Sequence, residues 1–234
     1  MGGGYGGVGR TILEVLKVSP KHQTVVLSRK KHDSVQVDYG SIDNLVSVLE
    51  THDIHTVICC FAVEGDSLAI LQLNLIQAAI NSTVTRRFVP SGFAIPYPQE
   101  VAGSSGDGET PVTSTYTFDL ARYVVAMLDV KDWPEESRVV GDPVTWHEFV
   151  KAEEIRSKFE IIELPRHQTL YEHFPKKAFQ WFMSIFELLA ADGSSFITRE
   201  GSPNERFPDM QPLTVREMLE RLRISGVSAS NDLT

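Results

Sequence analysis

Apolar positions near the start of the chain fall at helical spacing. In "RTILEVLK" Ile12, Leu13 and Leu16 share one face, and Ser19-Pro20 stops the run. "TVVLSRK" (24–30) is β-branched and apolar, the mark of a buried strand, and "VQVDYG" (35–40) predicts a second short one. Helical spacing returns in "SIDNLVSVLETH" through Ile42, Leu45, Val46 and Leu49. "HTVICCF" (55–61) reads as another apolar strand, and "DSLAILQLNLIQAAINS" (66–82) as an amphipathic helix. "RRFVPSGF" gives a strand ending at Val89 and a turn at Pro90. Strands alternating with helices of this length predict crossover connections and a parallel sheet, hence a doubly wound α/β domain.

The pattern weakens after Pro98. "QEVAGSSGDGETPVTST" (99–115) is rich in Gly, Ser and Thr and reads as a loop. A helix "FDLARYVVAMLDV", a short strand "SRVVG" (137–141) and a helix "TWHEFVKAEEIRS" follow. That last helix opens with a capping box, Thr145-x-x-Glu148, and a second box, Thr214-x-x-Glu217, opens "TVREMLERLR". Between them "KFEIIEL" predicts a strand and "KKAFQWFMSIFELLAA" a strongly apolar helix. The expected organisation is a dinucleotide-binding domain over 1–98, a smaller α+β subdomain on the substrate side over 99–224, and a disordered tail over 225–234. No internal repeat is visible.

One stretch carries chemistry that periodicity does not explain. In "MGGGYGGVGR", Gly4, Gly6 and Gly9 satisfy G-x-G-x-x-G, and Gly3, Gly6 and Gly9 satisfy the looser G-x-x-G-x-x-G. Glycines in such a turn let the backbone approach a pyrophosphate, which then sits on the N-terminus of the following helix. The motif normally follows a strand, and here only Met1 and two or three glycines precede it. About twenty residues on, at the end of the next strand, lies the position that selects the adenosine ribose. An acidic residue there selects a free hydroxyl. This chain has Ser28-Arg29-Lys30, which suits a 2′-phosphate through charge-assisted hydrogen bonds; the bland alternative is a solvated strand end.

Asp38, ending the following strand, fits an adenine acceptor or an ordinary turn aspartate equally well. Cys59 and Cys60 are the only cysteines. Adjacent strand residues face opposite ways, so at most one thiol faces a cleft, and core packing is the expectation for both. With only that adjacent pair, a reducing, cytoplasmic compartment is expected. A net charge of -9 argues against nucleic acid and anionic membranes as partners, and no run is apolar and long enough to span a bilayer. His52 and His55 flank Asp53 on a helix-to-strand connection, away from the expected cleft, and no metal site is expected. His147, His167 and His173 lack partnered spacing. The catalyst is not legible: none of the six tyrosines has a lysine four residues later, so the Tyr-x-x-x-Lys pair of short-chain dehydrogenases is absent.

"GGYGGVGRTILEVLK", "VVLSRK", "VQVDYG", "TVICCF", "LNLIQAAINSTVTRRFVPSGFAIPYP", "TYTFDLARYVVAMLD" and "VVGDPVTWHEFV" together resemble the fungal NmrA-like, isoflavone reductase-like oxidoreductases. These are atypical short-chain dehydrogenases that use NADPH, many of them in fungal secondary metabolism. The resemblance implies a Rossmann-like sheet, here lacking its first strand, whose loss opens a slot between the flanking strands. It implies NADP as cofactor, with Gly3, Gly4, Gly6, Gly7 and Gly9 along the pyrophosphate and Arg10 near it. Ser28, Arg29 and Lys30 hold the 2′-phosphate, and Ser91, Gly92 and Phe93 border the nicotinamide. The implied activity is reduction of a small molecule such as a polyketide or phenolic intermediate. Members also carry a catalytic lysine on a helix after the "PSGF" loop, and that helix has no counterpart here. The alternative implied is a non-catalytic NADP-sensing regulator with a protein partner, like the family's namesake, or an inactive product.

Overall fold

The computed structural model describes residues 1–30, 33–62, 66–94, 108–149, 151 and 189–225. Two compact units are present: Met1–Ala94 with Val124–Lys131, and Ile95–Tyr123 with Asp132–Thr234.

The first unit follows the expected alternation. Its elements are α1 (Gly7–Val18), β1 (Leu27–Ser28), β2 (Val35–Gln36), α2 (Ile42–Thr51), β3 (Thr56–Ile58), α3 (Gln72–Asn81) and β4 (Arg87–Val89). β1 pairs with β2 and β3 with β4, both in parallel. Gly2 joins the two pairs by bridging Leu27 on one side and Cys59 on the other, again in parallel. The sheet therefore runs β2, β1, Met1–Gly2, β3, β4, the order of a doubly wound fold.

The slot expected at the sheet centre is thus spanned at its carboxyl end. The Leu27 amide donates to the Met1 carbonyl at 2.8 Å, Gly2 donates to Ile58 at 2.9 Å, and Cys60 donates to Gly2 at 2.9 Å. The α-amine of Met1 donates to the Val25 carbonyl, and burial pushes its pKa down to about 6. Two residues satisfy backbone groups on both flanking strands, which would otherwise stay unpaired at about 1–3 kcal/mol each.

The core is apolar where the periodicity placed it. Ile12, Leu13 and Leu16 of α1 are buried, while Leu45 and Leu49 of α2 pack with Leu27, Val57, Cys59, Leu75 and Ala78. Ser41 caps α2, its hydroxyl accepting from the Asn44 amide at 3.2 Å. α3 does not begin as a regular helix: Ser67–Leu71 form a π-helical turn, with the Gln72 amide donating to the Ser67 carbonyl.

The second unit departs from expectation in two places. β5 (Val112–Ser114) lies within the stretch read as loop, and its antiparallel partner β6 (Asp142–Val144) follows "SRVVG" instead of coinciding with it. Val140, inside "SRVVG", is held by a side chain: buried Asn204 donates to its carbonyl at 2.8 Å and accepts from its amide at 2.9 Å. α4 (Thr117–Leu128) lies where predicted, as does α6 (Val215–Ser225). α5 (Pro203–Arg206), a single turn, had no sequence signal.

Both capping boxes form. Thr145 and Glu148 exchange side-chain-to-backbone bonds at 2.9 and 3.1 Å, and Thr214 and Glu217 at 2.9 and 3.2 Å. The strand predicted over "KFEIIEL", nearly all of the helix over "KKAFQWFMSIFELLAA" and residues 226–234 lie outside the described residues.

Candidate cofactor site

Three glycines shape the turn at the start of the chain, each for a different reason. Gly3 has φ +73°, and a β carbon there would stand 2.4 Å from the Cys60 carbonyl oxygen. Gly6 ends the turn, donating to Gly3 at 3.1 Å and accepting from the Arg10 amide at 2.7 Å. It caps α1 with no side-chain hydrogen bond, so the first-turn amides are left for another acceptor. Gly9 lies so close to the turn that a β carbon would meet the Gly3 oxygen at 2.3 Å. The packing thus holds Gly3 and Gly9 to glycine, while at Gly6 an added β carbon would meet only the Gly3 oxygen at 3.6 Å, an ordinary contact.

The turn opens on a cavity of about 290 Å³ within the first unit. One wall is Gly3, Gly4, Tyr5 and Gly6, the next is Leu27, Ser28 and Arg29 at the carboxyl end of β1. Tyr39, Cys60, Phe61 and Ala62 close it from the ends of the neighbouring strands, with Ser67 and Leu71 of the π turn completing the rim. This is the carboxyl edge of a parallel sheet, where ligands of doubly wound folds bind.

The structure brings Gly3, Gly4, Gly6, Ser28 and Arg29 to that one cavity. Gly7 and Gly9 form the first turn of α1 behind it, and Arg10 is exposed on the same helix. The Ser28 hydroxyl accepts from the Lys30 amide at 3.1 Å, which leaves its own proton free to donate. Arg29 has no carboxylate partner among the described residues. The Lys30 side chain is exposed and outside the lining.

Ser91 and Phe93 are likewise outside the lining, but Ser91 is tied to it. Its hydroxyl donates to the Phe61 carbonyl at 2.8 Å, and its amide donates to Gln72 Oε1 at 2.7 Å. The ends of β3 and β4 and the start of α3 are pinned together by that pair of bonds. Asp38 takes the turn role: its carboxylate accepts from the Gly40 amide at 2.8 Å.

Several lining residues were not foreseen. The Tyr39 hydroxyl donates to the Leu27 carbonyl at 3.0 Å, and its ring meets Phe61 edge to face at 4.9 Å. Burial pushes the Tyr39 pKa well up, so the phenol stays a neutral donor. Of the two thiols, Cys59 is in the core and Cys60 lines the cavity. Burial raises Cys59 to about 11 and Cys60 to about 12, so neither is a thiolate at neutral pH. In the second unit His147, which had no partner by spacing, has Nδ1 2.6 Å from Glu109 Oε1, 38 residues away.

No family model matches the chain. Among curated proteins it aligns with oxidoreductase BOA1 of Botryotinia fuckeliana at 26% identity over 288 residues, covering 90% of this chain and 94% of that protein. Those 288 positions exceed the 234 residues of the chain, so BOA1 has stretches with no counterpart here. Oxidoreductase swnN of Metarhizium robertsii is 33% identical over 103 residues, 41% of this chain and 30% of that protein.

Among solved structures, the fold is similar to a nucleoside-diphosphate-sugar epimerase from Staphylococcus aureus, with TM-score 0.73 and 16% identity over 94% of this chain and 98% of that one. An Escherichia coli NADPH-dependent quinone oxidoreductase complexed with NADPH gives TM-score 0.72 and 16% identity over 94% and 98%. The leucoanthocyanidin reductase–NADPH complex from Vitis vinifera gives 0.71 and 13% over 95% and 98%. These likenesses show a Rossmann-like α/β fold. The likeness to the two fungal oxidoreductases supports the family that the residues resemble, while the solved structures show the fold.

Proposed function

We propose that this NmrA-like, isoflavone reductase-like chain is an NADP-dependent oxidoreductase that reduces a small molecule. The observation that supports the reading is one cavity whose lining offers what each half of a dinucleotide would need. A helix N-terminus capped only by glycine faces it, and Ser28 and Arg29 line it at the adjacent strand end. The first supplies amides for a pyrophosphate, the second a donor and a cation for a 2′-phosphate. When bound, NADPH supplies a hydride to an electrophilic carbon. The residues of the chain hold the nucleotide at the sheet edge and keep its far wall apolar through Phe61 and Leu71. Gln72 and Ser91 fix the strand ends beside which Ser91, Gly92 and Phe93 would border the nicotinamide.

The substrate class we favour is a carbonyl or quinone-type intermediate of fungal secondary metabolism. The likeness to a fungal oxidoreductase supports the redox chemistry of that reading and its fungal setting. Steady-state NADPH oxidation at 340 nm, with a panel of polyketide-derived ketones, quinones and phenolic enones, tests the reading. Turnover with NADPH and little with NADH is expected. A second reading, a dinucleotide sensor without chemistry, is favoured by the absence of a counterpart to the lysine-bearing helix that the resemblance implies after the "PSGF" loop. Tight NADPH binding with no turnover on any panel member would select it.

A further inference from the structure

The glycine turn contains one bulky side chain. Tyr5 sits between Gly4 and Gly6, where the chain is otherwise stripped of side chains. Its ring is half exposed, at 49%, and lines the cavity alongside Ser28 and Arg29. Its hydroxyl donates to the Asp33 carbonyl at 3.1 Å, in the chain beyond β1. That bond links the glycine turn to the segment that follows Ser28 and Arg29.

We propose that Tyr5 is a further nucleotide-binding residue, a clasp that closes the adenosine 2′-phosphate end of the site and sets how long the cofactor stays. The inference rests on the NADP reading above. A nucleotide with its 2′-phosphate against Ser28 and Arg29 lies between the end of β1 and the tyrosine ring. To leave, it must break the bond from Tyr5 to Asp33 and move the ring aside. An exposed, neutral hydrogen bond such as this opens often, so the clasp slows departure without blocking arrival. A tyrosine supplies this with little loss of freedom, since its ring turns about only two side-chain bonds. Neither Gly4 nor Gly6 can take its place.

Displacement of bound NADPH in a stopped-flow instrument, followed by nucleotide fluorescence, tests the clasp on wild type, Tyr5→Phe and Tyr5→Ala. Melting curves without nucleotide verify that each variant is folded. Tyr5→Phe keeps the ring and removes the hydroxyl that donates to Asp33, and is expected to speed dissociation about three- to tenfold. Tyr5→Ala is expected to speed it further, with the association rate unchanged or higher. The effect should be smaller for NADH, which places no phosphate under the ring. Equal dissociation rates in the three proteins overturn the clasp and leave the NADP reading standing. Failure of folded wild type to bind NADPH overturns both.

Discussion

Two alanine substitutions two residues apart should move stability in opposite directions. At Gly9 a β carbon would stand 2.3 Å from the Gly3 carbonyl oxygen and 3.0 Å from the Gly4 α carbon, both rigid backbone. Ordinary contact begins at about 3.4 Å, so α1 and the turn would have to separate by about 1 Å. Overpacking of this kind costs about 1–3 kcal/mol. Distortion of the Gly6-to-Gly3 bond adds about 1 kcal/mol, and the better helix propensity of alanine returns about as much. The net loss for Gly9→Ala is then roughly 1–3 kcal/mol, a fall of about 3–10 °C in Tm for a chain of this length. At Gly7 nothing lies within 4 Å of the added carbon. Only the propensity change remains, so Gly7→Ala should leave Tm unchanged or raise it by a few degrees. Paired melting curves decide the matter. Equal Tm values for the two variants would refute the close approach of α1 to the turn.

Asn204→Ala leaves the buried amide and carbonyl of Val140 without partners, and urea unfolding should show a loss of roughly 2–6 kcal/mol. The Met1 amine is held near pKa 6 in the fold against 8.0 when free, so between those values the unfolded chain carries a proton that the folded chain lacks. Stability should therefore rise from pH 6 to pH 8, by up to about 2.7 kcal/mol. The same slope in a chain extended by one glycine before Met1 would contradict it. Cys59, fully buried, should react with a disulfide reagent only after denaturation, and prompt labelling of both thiols in native protein would contradict its place in the core.

Much of the first unit was legible because it is built from local patterns. The buried trio of α1, the apolar strands and the glycine register are each contained in a dozen residues or fewer. The wall of the cavity opposite the turn was not legible. Tyr39, Phe61, Ser67 and Leu71 come from two crossovers, and no spacing in the chain announces that parallel pairing will collect them. The π turn was hidden for a similar reason, since "SLAIL" keeps ordinary helical hydrophobicity while its hydrogen bonds shift by one residue. β5 was missed because "VTS" is set among Gly, Ser and Thr, and it becomes a strand only through Val144, thirty-two residues later. Pro143 disguised β6, being a residue that usually demotes a strand, and it stands at the edge of a two-stranded pair.

Titration of wild type and Arg29→Ala with NADPH and with NADH bears most directly on the assigned cofactor site. A charge-assisted contact contributes about 1.5–3 kcal/mol, roughly ten- to a hundredfold in Kd. Wild type should bind NADPH more tightly than NADH by that factor, and Arg29→Ala should lose most of the preference while keeping its affinity for NADH. Equal affinity of wild type for the two nucleotides would contradict the placement of the 2′-phosphate against Ser28 and Arg29.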